Sequence, residues 1–81
     1  MITIEIYNCS MYNDVVARQP KDLHDAMEFI EKTVPDSNTF LDYYIDYNDI
    51  SVPTYQKSFC LLGCRDKNEI LEFTSNVWKL L

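Results

Sequence analysis

Residues 40–48 read FLDYYIDYN, and they alternate strictly. Leu41, Tyr43, Ile45 and Tyr47 fall on one side, while Phe40, Asp42, Tyr44, Asp46 and Asn48 fall on the other. Successive side chains of a strand point to opposite faces, so a strand here offers one face to a core and another that mixes aromatic rings with carboxylates. Ile2, Ile4 and Ile6 alternate with Thr3, Glu5 and Tyr7 in the same way, which predicts a second strand with one face in a core and one facing water. These two segments commit the chain to a sheet that is covered on one side.

The remaining pattern supplies the cover. Pro20 suits the first position of a helix, where its missing N–H costs nothing, and Leu23, Met27, Ile30 and Val34 then recur at helical spacing. This helix is expected to run to about Thr33, where Pro35-Asp36-Ser37-Asn38 collects turn formers. Asp66 with Glu69 three residues on has the form of a capping box and starts a second helix. On that helix Ile70, Phe73, Val77 and Leu81 make a stripe flanked by Leu71, Trp78 and Leu80. Phe73 and Trp78 are read as its core anchors, with Trp78→Ala expected to cost about 3 kcal/mol or more. Gln56 to Leu62 (QKSFCLL) reads as a further strand, central in the sheet because its end is near-continuously apolar, and Gly63, the only glycine, closes it. Between the first strand and the first helix the sequence is ambiguous. Asn13-Asp14 fits a turn, and Val15-Val16-Ala17 fits either a short strand or a loop.

The expected class is α+β: a three- to four-stranded antiparallel or mixed sheet with two helices on one face, in the order β(β)αββα. The 81 residues are expected to form a single domain, residues 1–81, and a hydrophobic fraction of 47% is enough for a core of its own. No apolar run approaches the ~18 residues of a membrane span, and MITIEIYN lacks the basic and long apolar regions of a signal peptide, so a cytoplasmic location is expected.

Catalytic and metal signatures are weak. Cys9, Cys60, Cys64 and His24 have the stoichiometry of a Cys₃His zinc site, but Cys60 and Cys64 lack the tight CxxC spacing of a zinc knuckle. Alternation in the 56–62 strand puts Cys60 toward a buried face, so the cysteines are read as small buried hydrophobes and no cofactor or metal is expected. Three cysteines cannot all pair within one chain, which fits free thiols. His24 projects away from the Leu23–Ile30 stripe as a solvated side chain rather than a general base. One glycine excludes a Gly-rich phosphate loop. The chain is read as a non-enzyme.

Charge distribution is the more specific signal. Eight of the thirteen acids lie between Asp22 and Asp49, where Lys32 is the only fixed positive charge. Asp22, Asp25, Glu28 and Glu31 recur at i, i+3 along the first helix, a ridge of like charges. Asp42 and Asp46 flank Tyr44 on one strand face, about 13 Å apart. Asp25, Glu28, Asp42, Tyr44, Asp46 and Asp49 are therefore the candidate partner-binding residues, offering carboxylates to cationic groups and a ring to pack against. Such a surface repels nucleic-acid phosphates directly, and attracts a protein whose own groove is basic in order to hold DNA or RNA.

In size, acidity, a β-rich opening and aromatic content the chain resembles the small acidic inhibitors that bacteriophages encode against host defences, of the anti-CRISPR or anti-restriction type. That resemblance implies a non-enzymatic protein of the bacterial host cytoplasm that binds a basic nucleic-acid-binding protein or nuclease complex and blocks its nucleic-acid site. An antitoxin- or immunity-type interaction module, masking a toxin's basic site, is the alternative, and a cysteine-dependent metal or thiol protein is a third. Steep salt dependence of partner binding would separate the first two from the last.

Overall fold

The computed structural model describes residues 1–8, 14–49, 51–52 and 56–81, with Asn8 and Asp14 described by their backbone alone. Six elements follow one another: β1 (Ile2–Asn8), β2 (Asp14–Arg18), α1 (Leu23–Thr33), β3 (Thr39–Asn48), β4 (Gln56–Arg65) and α2 (Lys67–Leu80). The strands form one sheet in the order β2-β1-β3-β4, antiparallel at every junction. This is the α+β class in the expected order. The ambiguous segment Val15-Val16-Ala17 resolves as the edge strand β2, in register with Ile6 of β1 at Val16.

Two alternating strands meet at the centre of the sheet, with Ile4 opposite Ile45 and Ile6 opposite Tyr43. These residues and Leu41 are buried together with Ala26, Ile30 and Val34 from α1 and its C-cap, and Ile70 and Val77 from α2. Both helices thus cover one face of the sheet, and that face holds the core. Among the described residues, no helix is long and apolar enough to cross a membrane.

Each helix is started by an aspartate. Asp22 caps α1, its Oδ1 accepting the Asp25 N–H at 2.8 Å, and Asp66 caps α2 by accepting the Glu69 N–H at the same distance. The start of α1 therefore lies later than the Pro20 expectation, because the Asp22 carboxylate satisfies an otherwise orphaned N–H directly. Val34 ends α1 in an extended conformation (φ −91°, ψ 130°), the geometry imposed on a residue that precedes proline.

Along α2 the buried side chains are Ile70, Thr74 and Val77. Trp78 and Phe73 are half-buried and pack against this core from its margin, while Leu80 and Leu81 are exposed. The expected apolar stripe is thus displaced toward Thr74, a polar residue that hydropathy does not assign to a core. Its hydroxyl is buried because it has partners: Thr74 Oγ1 lies 2.8 Å from the Ile70 carbonyl and 2.6 Å from the Tyr43 hydroxyl. Thr74 has one proton, and it goes to the carbonyl. Tyr43 is then the donor in the second bond.

Two features of β4 depart from expectation. It is the last strand in the sheet order and so an edge strand, not a central one: its apolar run is divided between two faces, of which the helices cover only one. Phe59 and Leu61 turn toward the helices, while Cys60 and Leu62 turn away from them. Nor does Gly63 close it, since the strand continues to Arg65. Gly63 has φ +102°, a conformation that L side chains rarely adopt, although a Cβ there would meet nothing within 4 Å. Backbone conformation rather than crowding therefore calls for glycine. Gly63→Ala is expected to lower stability by about 1–2 kcal/mol in urea denaturation. An unchanged midpoint would show that β4 relaxes its conformation without cost.

Candidate functional site

The face of the sheet opposite the helices has no covering element among the described residues. Register builds its rows directly. Val15, Tyr7, Asp42 and Leu62 form one row, Ala17, Glu5, Tyr44 and Cys60 the next, and Thr3, Asp46 and Ser58 a third. Phe40, opposite Cys64, continues the surface at one end and is 56% exposed.

Side chains on this face are tied to one another. The Tyr7 hydroxyl donates to Glu5 Oε2 at 2.5 Å, and the Tyr7 and Tyr44 rings meet edge to face at 5.5 Å and 86°. Ser58 donates to Asp46 Oδ1 at 2.6 Å. The bond to the Glu5 carboxylate, with a smaller contribution from burial, raises the Tyr7 phenol above its ordinary ionisation range, so Tyr7 stays a neutral donor. The result is a surface of two rings and three carboxylates in which both rings, Glu5 and Asp46 are held in place by neighbours. Ordering before contact reduces the entropy lost when a partner binds.

Charges on the strands are sorted by face. Among strand residues with described side chains, Glu5, Asp42 and Asp46 all point to the open side. Arg18, Lys57 and Arg65 stand in the helix-side rows, opposite Ile4, Tyr47 and Thr39 respectively. A random scatter of solubilising charge does not need this separation. It leaves the open face with a single sign of charge, and a field that adds rather than cancels.

The structure brings Asp42, Tyr44 and Asp46 together and adds Glu5 and Tyr7 to them. Asp25, Glu28 and Asp49 lie elsewhere. Asp25 and Glu28 belong to α1 on the covered side of the sheet, so the helix ridge and the strand face are not one continuous patch. Asp25 is bound by Arg18 at 2.6 Å and accepts the Lys21 N–H at 3.1 Å, which makes it a clamp between the end of β2 and the start of α1. Glu28 is exposed on the same helix. Asp49 follows β3, where its Oδ1 accepts the Ser51 N–H at 3.0 Å and the Ser51 hydroxyl at 2.6 Å, shaping the start of the turn.

Long-range pairing also removes acids from the expected anionic block. Lys67, at the start of α2, reaches Asp36 at 2.8 Å and Glu31 at 3.5 Å, and donates to the Glu31 carbonyl at 3.0 Å. Cations from outside the 22–49 segment thus neutralise part of it.

These pairs make stability pH-dependent. The Arg18 hydrogen bond first, then the Lys21 N–H, hold the Asp25 carboxyl below its ordinary value of about 3.8, and Lys67 does the same for Asp36. Carboxyls with depressed values stabilise the fold above their unfolded value, and that stability is lost as pH falls through the folded one. Asp25→Asn should therefore flatten the decline in stability below about pH 4. A stability–pH curve that keeps its slope in this variant would show that the Arg18 pair contributes nothing. Lys67 is raised, chiefly by its bond to Asp36, so its share of stability fades only at alkaline pH.

The cysteines fall differently from expectation. Cys60 and Cys64 are exposed and unpaired, because even-numbered positions of β4 face the open side rather than the core. Four strand residues set them about 13 Å apart, too far to share one ion. His24 sits on α1, beyond the sheet, and is exposed. Cys9 lies outside the described residues. No group of three or more His, Cys, Asp or Glu among the described residues could hold a metal ion.

The fold and this face define a small α+β protein with a one-sided open antiparallel sheet whose bare side is acidic and aromatic. No protein-family model matches the chain, and neither a curated protein nor a solved structure matches it.

Glu5 and Tyr7 are the site residues that sequence reasoning missed. Their signal was present, since both occupy the polar positions of the β1 alternation, as Asp42 and Tyr44 do in β3. What the alternation lacks is the pairing of β1 with β3, which places Glu5 opposite Tyr44.

Proposed function

We propose that this protein is a non-enzymatic inhibitor that binds a nucleic-acid-processing protein through the open face of its sheet and occupies that protein's basic nucleic-acid groove. An anti-CRISPR or anti-restriction protein of a phage, acting in the bacterial cytoplasm, would work in this way. The observation that carries the reading is the segregation of strand charges, which leaves Glu5, Asp42 and Asp46 around Tyr7 and Tyr44 without a lysine or arginine in their rows. Carboxylates spaced about 13 Å apart along a strand meet guanidinium and ammonium groups otherwise directed at phosphates. The rings between them supply packed anchors. Attraction of this kind speeds association and weakens with salt.

The test is a competition. A partner captured from bacterial lysate on the immobilised protein should be released by salt of about 0.5 M, where exposed charges are screened beyond a few ångströms, and displaced by DNA or RNA. A captured partner that holds nucleic acid and this protein simultaneously, with unchanged affinity for each, would sink the groove-blocking reading. Salt-sensitive capture of a partner with no nucleic-acid site would favour the antitoxin or immunity alternative.

A further inference from the structure

A second surface lies on the other side of the sheet, at its outer edge. β4 is the last strand in the sheet order, and its ten residues have no strand on their outer side among the described elements. Natural edges are usually kept short or are blocked by proline and inward charge. The opposite edge, β2, is only five residues long. β4 contains no proline, and its two charged residues, Lys57 and Arg65, lie near its ends, so among the described residues nothing guards the backbone donors and acceptors that alternate residues of Ser58–Leu62 turn outward.

Beside this edge is a cleft of about 320 Å³, lined by Leu61 and Arg65 of β4 and by Glu69, Glu72, Phe73 and Asn76 of α2. Leu61 and Arg65 flank Gly63 on the helix side of the strand, where the missing side chain leaves open space. The cleft is amphipathic. Leu61 and Phe73 give it apolar walls, and α2 adds two carboxylates and an amide. Its one cation, Arg65, is only loosely engaged, with Nη1 3.8 Å from Glu69 Oε2. Among the described residues, Arg65 Nε is buried without a hydrogen-bond partner. A buried N–H left unpaired is costly, and it marks a place where an acceptor is wanted.

We propose that the outer edge of β4 and the adjoining flank of α2 form a strand-addition groove. It takes an extended segment of a partner protein as a fifth strand and seats a lysine or arginine side chain of that segment in the cleft. Backbone hydrogen bonds along Ser58–Leu62 supply the pairing, and the pocket selects the side chain, the usual division of labour when a peptide extends a sheet. The long aliphatic stem of a basic residue lies on Leu61 and Phe73, and its charge reaches Glu69 and Glu72. An acidic side chain meets two like charges there against the single opposite charge of Arg65, so the balance of charge in the cleft favours a cation. A carbonyl of the added strand gives Arg65 Nε its missing acceptor. Because the groove is separate from the Glu5, Asp42 and Asp46 face, the inference holds whether or not that face blocks a nucleic-acid site.

The probe is an acetylated, amidated heptapeptide of alternating valine and threonine with one central lysine, titrated into the isotope-labelled protein and followed by amide NMR. Shifts should concentrate at residues 58–65 and 69–76, with slowed hydrogen exchange along β4. Replacing the central lysine by glutamate should weaken binding about tenfold or more, and Glu72→Lys should erase that preference. Asp42→Lys with Asp46→Lys should leave peptide binding intact. The proposal fails if neither peptide binds at millimolar concentration, if both bind equally, or if the shifts map to the open face around Tyr44. It also fails if the same residues shift on protein dilution alone, which would mean that a second copy of this chain occupies the edge.

Discussion

Tyr43→Ala is expected to remove about 3–5 kcal/mol of folding stability, the range for deleting a large buried aromatic side chain. An 81-residue domain has roughly 4–12 kcal/mol in total, so this single change brings the protein near the threshold of unfolding. Tyr43 is fully buried at the centre of β3, packed edge to face on Phe73, with its hydroxyl on Thr74 of α2. It therefore joins sheet to helix by packing and by a hydrogen bond at once. Thr74→Val leaves the Tyr43 hydroxyl buried with no acceptor and should cost about 1–3 kcal/mol. Tyr43→Phe leaves Thr74 still bonded to the Ile70 carbonyl and should cost less. Combining the two leaves no orphan, so the pair should cost less than the sum of its parts, with a coupling of about 0.5 kcal/mol or more in urea denaturation. Additive losses would show that the two hydroxyls do not interact. Burial also pushes the Tyr43 phenol well above its ordinary value of 10.0. The stability this gives is present below that value and is lost as pH rises beyond it, so Tyr43→Phe should flatten the alkaline decline.

Tyr43 also shows which parts of the fold the sequence reveals. Its place in the core follows from alternation alone, as do those of Ile4, Ile6, Leu41 and Ile45, because a strand's period is exact and short-range. The cap at Asp66 is equally local. Thr74 is different: its burial depends on a hydroxyl 31 residues away in sequence, and a hydropathy pattern has no means of registering a satisfied polar group. The same holds for β4. An apolar run such as Phe59 to Leu62 looks alike in a central strand buried on both sides and in an edge strand with one face left open. Only the pairing decides, and the exposed cysteines follow from it.

The candidate site was legible to the same degree. Asp42, Tyr44 and Asp46 are neighbours by local geometry, and the structure keeps them so. The acidic block from Asp22 to Asp49 was misleading as a unit because charge density along a sequence ignores what tertiary contacts bring to it. Arg18 reaches Asp25, and Lys67 reaches Glu31 and Asp36, while the sheet itself separates α1 from the open face. What survives is smaller and more sharply defined than the block, and β1 contributes two of its five residues.

Asp42→Lys combined with Asp46→Lys tests that surface with the largest expected effect on binding. Both residues are half-buried on a strand face, and Asp46 gives up one hydrogen bond from Ser58, so a loss of about 1–2 kcal/mol in stability is expected while the circular dichroism spectrum is retained. The two new lysines also stand diagonally across from Glu5, the residue opposite Tyr44, and opposite charges at such positions in a sheet are mildly favourable. Binding should nevertheless collapse. Turning two close contacts from attraction to repulsion can cost several kcal/mol at a desolvated interface, against about 0–1 kcal/mol for charges that play no part. Tyr44→Ala should act differently, mainly by faster dissociation, because it removes a packed ring that Tyr7 holds in place. The lysine exchanges should in addition slow association at low salt, and this difference should vanish as salt is raised. Association and dissociation rates measured by surface plasmon resonance against the captured partner separate the two effects. A folded double-lysine protein that binds with wild-type rates would take the open face out of the interface and leave its sorted charges as a device of solubility.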